Sequence, residues 1–225
     1  MTAYVLVPGA CHGGWWYDEL RERLRGAGHL AQAITPAGLE DIPRTDCLIN
    51  LDTHIDQAAA AVTEMADRGS AAEPVVLVGH SYAGSVITGV ADRMPEKVKA
   101  LVYLDAFLPG DGDSCWTMTN DEQRAWYIDG ARRTGYGVDP LPFFDERARP
   151  HPVATLLQAI RLTGAWRAVP AKVYVTALGW PGESPMAGAT ARARDDGGFE
   201  THEWDTTHNV LADGPGRVFD LIRGR

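Results

Sequence analysis

Val75-Val-Leu-Val-Gly-His-Ser-Tyr-Ala-Gly84 joins an unbroken apolar run to a serine set among small residues. Val75 to Val78 are apolar without alternation, the pattern of a strand covered on both faces, as in a buried parallel sheet. The run stops at Gly79-His80-Ser81. Beyond it Ala83, Val86, Ile87, Val90 and Met94 fall on one helical face, and Pro95 ends the helix. A strand that passes into a helix through so short a turn is the repeating unit of an α/β sheet, and here the turn carries a serine.

The same alternation extends in both directions. Upstream, Tyr4 to Val7 reads as a strand stopped by Pro8-Gly9, and Trp15 to Ala27 as an amphipathic helix with Trp16, Leu20 and Leu24 on one face. Leu30 to Thr35 is a second strand, followed by a loop over Pro36 to Asp52 and a helix over Thr53 to Asp67 that Gly69 ends. Downstream, Val98 to Leu104 runs as a strand into Asp105; Ala171 to Leu178 and Phe199 to Trp204 supply two more, and Pro215 to Ile222 is a final helix with Pro at its first turn. Six strands joined by right-handed crossovers predict a six-stranded, mainly parallel sheet with helices on both faces.

Pro109 to Pro170 breaks the rhythm. It shows no strand pattern but two helical candidates, Asn120 to Arg132 and Pro152 to Thr163, and about sixty residues are too many for a plain crossover. The expected organisation is a core of residues 1–108 and 171–225, with 109–170 as a helical cap over the strand ends where open α/β sheets bind ligands.

Composition narrows the class of partner. The chain has 225 residues, 21 Lys and Arg against 30 Asp and Glu, a formal charge of −9 and 45% hydrophobic residues. That is enough for one domain with a large core and argues against disorder. The acidic balance and the lack of a basic stripe exclude nucleic acid and anionic membrane as expected partners. No apolar run approaches a membrane span, and Met1 to Val7 lacks a basic leader pattern. Cys11, Cys47 and Cys115 are odd in number and widely spaced, which suggests neither a disulfide framework nor a metal site, and a reducing cytoplasm is the expected location.

The chemistry centres on Gly79-His80-Ser81-Tyr82-Ala83-Gly84, which has the context of a nucleophile elbow: a sharp turn presents the serine, and small neighbours let the helix pack close. Ala83 stands where the G-x-S-x-G pattern has its second glycine. A helix-capping serine or a phosphate loop is the alternative, but neither G-x-G-x-x-G nor G-K-[ST] occurs. A serine needs a base. Chain order in such sheets, nucleophile then acid then histidine, points to His208 after the last strand. His12 and His80 read as packed imidazoles on the floor of the site, and His29, His54, His151 and His202 as surface or loop residues. Two acids qualify: Asp105, at the end of the strand after the serine helix, and Glu183, in the later loop Gly179 to Pro185. Asp105 is favoured because that loop lacks the usual Asp. A developing oxyanion needs two backbone N–H donors; Tyr82 supplies one and the turn Pro8 to Gly13 the other, at Ala10. Cys11 on that turn reads as a packing residue.

Val5-Leu-Val-Pro-Gly-Ala-Cys-His-Gly-Gly-Trp15, Gly79-His-Ser-Tyr-Ala-Gly84 and Leu101-Val-Tyr-Leu-Asp-Ala-Phe-Leu-Pro109 together resemble the α/β-hydrolase superfamily, in the branch of plant methyl esterases, hydroxynitrile lyases and their bacterial relatives. The resemblance spans the chain and is weakest in the cap. It implies a Ser-His-acid triad, an oxyanion hole and no cofactor. Pro8 stands where the family has His, and Thr207 where it has Gly before the histidine, which bears on the oxyanion turn and on the mobility of the histidine loop. Asn209 replaces the lysine that the lyases use, so cyanohydrin cleavage is disfavoured.

Trp116, Trp126, Tyr127, Tyr136, Phe143, Phe144 and Trp166 bring aromatic bulk to the cap, most of it expected to pack the cap itself. The expected function is a serine esterase that cleaves a small to medium, largely apolar ester through an acyl-enzyme, without metal or cofactor, in an assembly compatible with a homodimer. The competing readings are a lyase, dehydratase or cyclase on the same scaffold, and a ligand-binding receptor-like protein.

Overall fold

The computed structural model describes residues 1–41, 48–68 and 73–225; Cys47 and Gly69 lie outside them. In chain order the elements are β1 (Ala3–Val7), α1 (Asp18–Gly26), β2 (Leu30–Ala33), α2 (Leu51–Arg68), β3 (Val75–His80), α3 (Ala83–Arg93) and β4 (Val98–Leu104). Then come α4 (Cys115–Met118), α5 (Asp121–Gly130), the short β5 (Gly137–Val138) and β6 (His151–Pro152), and α6 (Val153–Leu157). The chain continues through β7 (Ala171–Ala177), α7 (Ala187–Asp195), β8 (Glu200–Trp204), α8 (Val210–Asp213) and α9 (Pro215–Ile222).

Six strands make one sheet in the order β2-β1-β3-β4-β7-β8, every pair parallel. The absence of alternation in the sequence now has its cause. Val5, Val7, Leu77, Leu101 and Tyr103 pack with α2 and α3 on one face, while Tyr4, Leu6, Val76, Val78 and Val102 pack with α1 and α9 on the other. The inner strands β1, β3 and β4 bury both sets of side chains almost along their whole length, so their sequences are apolar on both faces. Tyr4 keeps its hydroxyl satisfied by donating to the Ile222 carbonyl at 3.0 Å, which ties the first strand to the last helix.

The structure departs from the sequence reading in the stretch after β4. The helix expected over Pro152 to Thr163 ends at Leu157, because the following N–H groups find tertiary acceptors: Ile160 N–H donates to the Asp113 carbonyl at 2.8 Å and Leu162 N–H to Asp111 Oδ1 at 2.9 Å. Within that stretch Gly137 pairs with Pro152 and Val138 with His151, antiparallel, where the sequence shows no strand pattern. Further on, the sequence reading assigns no element between Pro185 and Phe199, where α7 forms; its buried positions are Ala189, Thr190 and Ala193, too small to print a hydrophobic period.

One contact fixes the geometry from which the site grows. A Cβ on Gly84 would lie 1.9 Å from the Phe107 carbonyl oxygen, so the first turn of α3 approaches the loop after β4 at a distance open only to glycine.

Candidate active site

Among the described residues, three non-glycine residues have positive φ: Cys11 (67°), Ser81 (54°) and Asp105 (43°). They occupy the turns after β1, β3 and β4, neighbours at one end of the sheet. Left-handed backbone costs an L-residue roughly 1–2 kcal/mol, and persists where surrounding bonds over-determine it. For Ser81 those bonds are explicit. Its N–H donates to the Leu104 carbonyl (3.3 Å), and its own carbonyl accepts from Gly84 N–H (3.1 Å) and Phe107 N–H (3.0 Å). The hydroxyl is left without a hydrogen-bond partner among the described residues.

Asp105 is fully buried, and each of its oxygens is engaged. Oδ2 accepts from His208 Nδ1 at 2.7 Å and from the Trp180 indole N–H at 2.9 Å; Oδ1 accepts from Ala177 N–H at 3.2 Å. A buried carboxylate is tolerable only when satisfied in this way. The structure therefore brings Asp105, and not Glu183, to His208. Glu183 lies on the cavity wall with its backbone carbonyl accepting from Asn120 Nδ2 at 2.9 Å.

His208 is held from several sides. Its ring is flanked by those of His80 (4.4 Å between centroids) and Trp180 (4.7 Å), and its carbonyl is bonded to His80 Nε2 at 2.9 Å. Thr207 donates to Asp213 Oδ2 through both N–H (2.6 Å) and Oγ1 (2.7 Å). Threonine in place of glycine thus pins the histidine loop to α8. With Nδ1–H committed to Asp105, Nε2 is left as the basic nitrogen.

The backbone N–H groups of Ala10 and Tyr82 donate to no acceptor among the described residues, and both residues line the same cavity as Ser81 and His208. Its volume is about 870 Å³, and its wall includes Trp15, Trp16, Phe107 and Trp180. From the stretch after β4 come Trp126, Tyr127, Phe143 and Phe144, so four of the seven aromatics of that stretch reach the cavity rather than only packing on one another. Glu19, Glu122, Asp145 and Arg147 add a charged rim that the sequence reading left out; Arg147 is paired to Asp145 at 2.8 Å and lies 4.2 Å over the Trp15 ring. Among the described residues no group of three His, Cys, Asp or Glu side chains is arranged to hold a metal ion.

Two histidines assigned to surface or loop are instead fully buried, a correction to the sequence reading. His54 on α2 bonds Tyr82 Oη through Nδ1 and the Ala37 carbonyl through Nε2, both at 2.9 Å. His151 on β6 accepts from Cys11 N–H at 3.2 Å and bonds Thr155 Oγ1 at 2.8 Å. Burial pushes His54 down to about 4 and holds His80 and His151 well below the ordinary imidazole range. It pushes the Cys11 and Cys115 thiols up to about 12, which makes both poor nucleophiles. His80 and Trp180 were not foreseen as supports of His208 and Asp105; no local signal marks either, since the contacts join residues 128 and 75 positions apart.

A family model described as the alpha/beta hydrolase family matches residues 4–221. A carbendazim hydrolyzing esterase from Nocardioides sp. (strain SG-4G) is 32% identical over 244 residues, covering 99% of this chain and 98% of that protein. Salicylic acid-binding protein 2 from Nicotiana tabacum is 36% identical over 107 residues, 47% of this chain and 40% of that protein. Among solved structures, an extracellular alpha/beta-hydrolase from a Paenibacillus species superposes with a TM-score of 0.79 at 21% identity, covering 99% of this chain and 98% of that one.

Proposed function

The chain belongs to the alpha/beta hydrolase family, and from that premise we propose that it is a serine esterase whose nucleophile, base and acid are Ser81, His208 and Asp105. One observation carries the reading: the His208 ring, committed through Nδ1 to buried Asp105 at 2.7 Å, lines the same cavity as the strained Ser81.

In this reading Ser81 Oγ attacks the ester carbonyl while His208 Nε2 takes its proton. Asp105 holds the imidazole in the required tautomer and balances the imidazolium. Charge that develops on the carbonyl oxygen meets the N–H groups of Ala10 and Tyr82, whose freedom from other partners means no bond must break first. Each such donor contributes about 10²- to 10³-fold to the rate. The tetrahedral adduct collapses, His208 returns the proton to the leaving alcohol, and water activated by the same histidine releases the acid.

Residues 109–170 act as the cap, and the aromatic side chains they add to the cavity support a largely apolar, aromatic ester as substrate. The acidic rim disfavours anionic substrates and favours departure of the carboxylate product. The names of the relatives, a carbendazim hydrolyzing esterase and several methylesterases, support small esters with a short alcohol. Every proposed site residue comes from one chain, so the reading needs no second subunit. No helix among the described residues is long and apolar enough to cross a membrane; a cytoplasmic location is part of the proposal and rests on the odd cysteine count. The test is steady-state hydrolysis of a panel of methyl and aryl esters by the wild type, Ser81→Ala and His208→Ala. Turnover in the wild type that both substitutions abolish is expected; turnover that survives Ser81→Ala overturns the reading.

A further inference from the structure

The polar groups of Cys11 are all taken by the segment that follows β4. Its N–H donates to His151 Nδ1 (3.2 Å), its carbonyl accepts from Arg149 N–H (3.0 Å), and its thiol lies 3.7 Å from the Val138 carbonyl as donor. Cys11 directly follows Ala10 and sits in the left-handed region, a conformation that the chain relinquishes unless it is held there. His12 N–H closes the same turn onto the Gly9 carbonyl at 3.3 Å.

His151 also meets the second donor residue. Its ring packs edge-on against that of Tyr82, 4.6 Å between centroids, while the Tyr82 hydroxyl is bonded to His54 Nδ1 at 2.9 Å. Thr155 Oγ1, itself donating to the Pro152 carbonyl at 2.8 Å, lies 2.8 Å from His151 Nε2. A lone pair on Nδ1 is what the Cys11 N–H requires, so His151 carries its proton on Nε2 and stays neutral. One buried side chain therefore touches both turns from which the free N–H groups of Ala10 and Tyr82 project.

We propose that His151 is the positioning residue of the oxyanion hole: by accepting from the Cys11 N–H it fixes the turn that presents Ala10, while Tyr82, bonded through its hydroxyl to His54, packs against its ring. This rests on the assignment of Ala10 and Tyr82 as oxyanion donors. It also couples the cap to the chemistry, because β6 supplies His151 and a displaced β5–β6 pair would withdraw the bonds to Cys11 together. The Pro8 departure fits this arrangement: the turn after β1 takes its support from the cap.

Two substitutions separate positioning from packing. His151→Asn places Oδ1 where Nδ1 stands and keeps the acceptor for Cys11 but loses the ring. His151→Phe keeps the ring against Tyr82 and loses the acceptor; His151→Gln, whose acceptor is displaced by one bond, replaces it if the Phe variant does not fold. Activity is read as kcat and KM on an ester that the wild type turns over. Inhibition is read with a trifluoromethyl ketone, to whose carbonyl Ser81 Oγ adds while its proton passes to His208, leaving an alkoxide in the oxyanion hole. The expected result is a 10- to 100-fold loss in kcat and in ketone affinity for the Phe or Gln variant with KM within about threefold, and kcat within about fivefold of wild type for the Asn variant. Equal losses in both kinds of variant, or a Phe or Gln variant that is less stable but keeps kcat and ketone affinity, overturn the proposal. A wild type without turnover that also resists the ketone would instead overturn the esterase reading.

Discussion

Asp105 Oδ2 and His208 Nδ1 lie 2.7 Å apart across 103 residues of chain, and the carboxylate also takes the Trp180 indole N–H at 2.9 Å. The proposed acid lies at the end of β4, and the loop after β7, where Glu183 lies, contributes a donor to it.

Replacing Asp105 by Asn keeps the volume but cannot hold His208 in the tautomer that leaves Nε2 basic. A loss of about 10⁴-fold in kcat is expected, against less than threefold for Glu183→Gln. Steady-state kinetics on one ester decide it, and a larger loss for the Glu183 variant would assign the acid to the later loop.

Trp180→Phe removes one charge-assisted donor from Asp105 and keeps most of the ring against His208. Such bonds contribute about 1.5–3 kcal/mol, so kcat should fall roughly 10- to 100-fold with the folded state intact by circular dichroism. Unchanged kcat would show that the indole N–H does not support the acid.

Stability should fall with acid for a reason that can be located. His54, His80 and His151 are buried with pKa values lowered, His54 to about 4, so each stays neutral in the fold. In the unfolded chain each takes a proton near the ordinary value of about 6.5. For His54 the contribution is full above that pH and is lost as the pH falls toward 4, roughly 2 kcal/mol between pH 7 and 5, and His80 and His151 act in the same direction. Urea unfolding at pH 7, 6 and 5 should show this decline, with a shallower slope for His54→Gln. Parallel slopes for the two proteins would remove His54 from the account.

Gly84→Ala forces a Cβ to within 1.9 Å of the Phe107 carbonyl, and a loss of at least about 3 kcal/mol or failure to fold is expected. Gly188→Ala on α7 meets no heavy atom within 4 Å and should be neutral or stabilising by up to about 1 kcal/mol. Thermal melts of the two variants make the comparison, and similar melting temperatures would contradict the close approach of α3 to the β4 loop.

The fold was legible because strands buried on both faces must be apolar throughout, as Val75 to Val78 and Leu101 to Leu104 are, and because the turn at Ser81 announces itself in small residues on either side. His208 is proposed as the base from chain order. Sequence leaves the acid between Asp105 and Glu183, since both satisfy that order, and the proposal of Asp105 draws on Ala177 N–H and Trp180, donors 72 and 75 positions from the carboxylate. His54 and His151 read as surface or loop residues because their partners Tyr82 and Cys11 lie 28 and 140 positions away. The stretch between β4 and β7 was least legible: its helix α6 is cut short by acceptors on Asp111 and Asp113, which no local pattern encodes.

Whether Ser81 is the nucleophile of an esterase is decided by intact-mass analysis and peptide mapping after reaction with a fluorophosphonate. Here Ser81 Oγ displaces fluoride at phosphorus, its proton leaving with the fluoride. One adduct is expected on the wild type, mapped to Ser81, and none on Ser81→Ala. An adduct of the same stoichiometry on the Ser81→Ala protein, or mapped to another residue of the wild type, would contradict that role of Ser81.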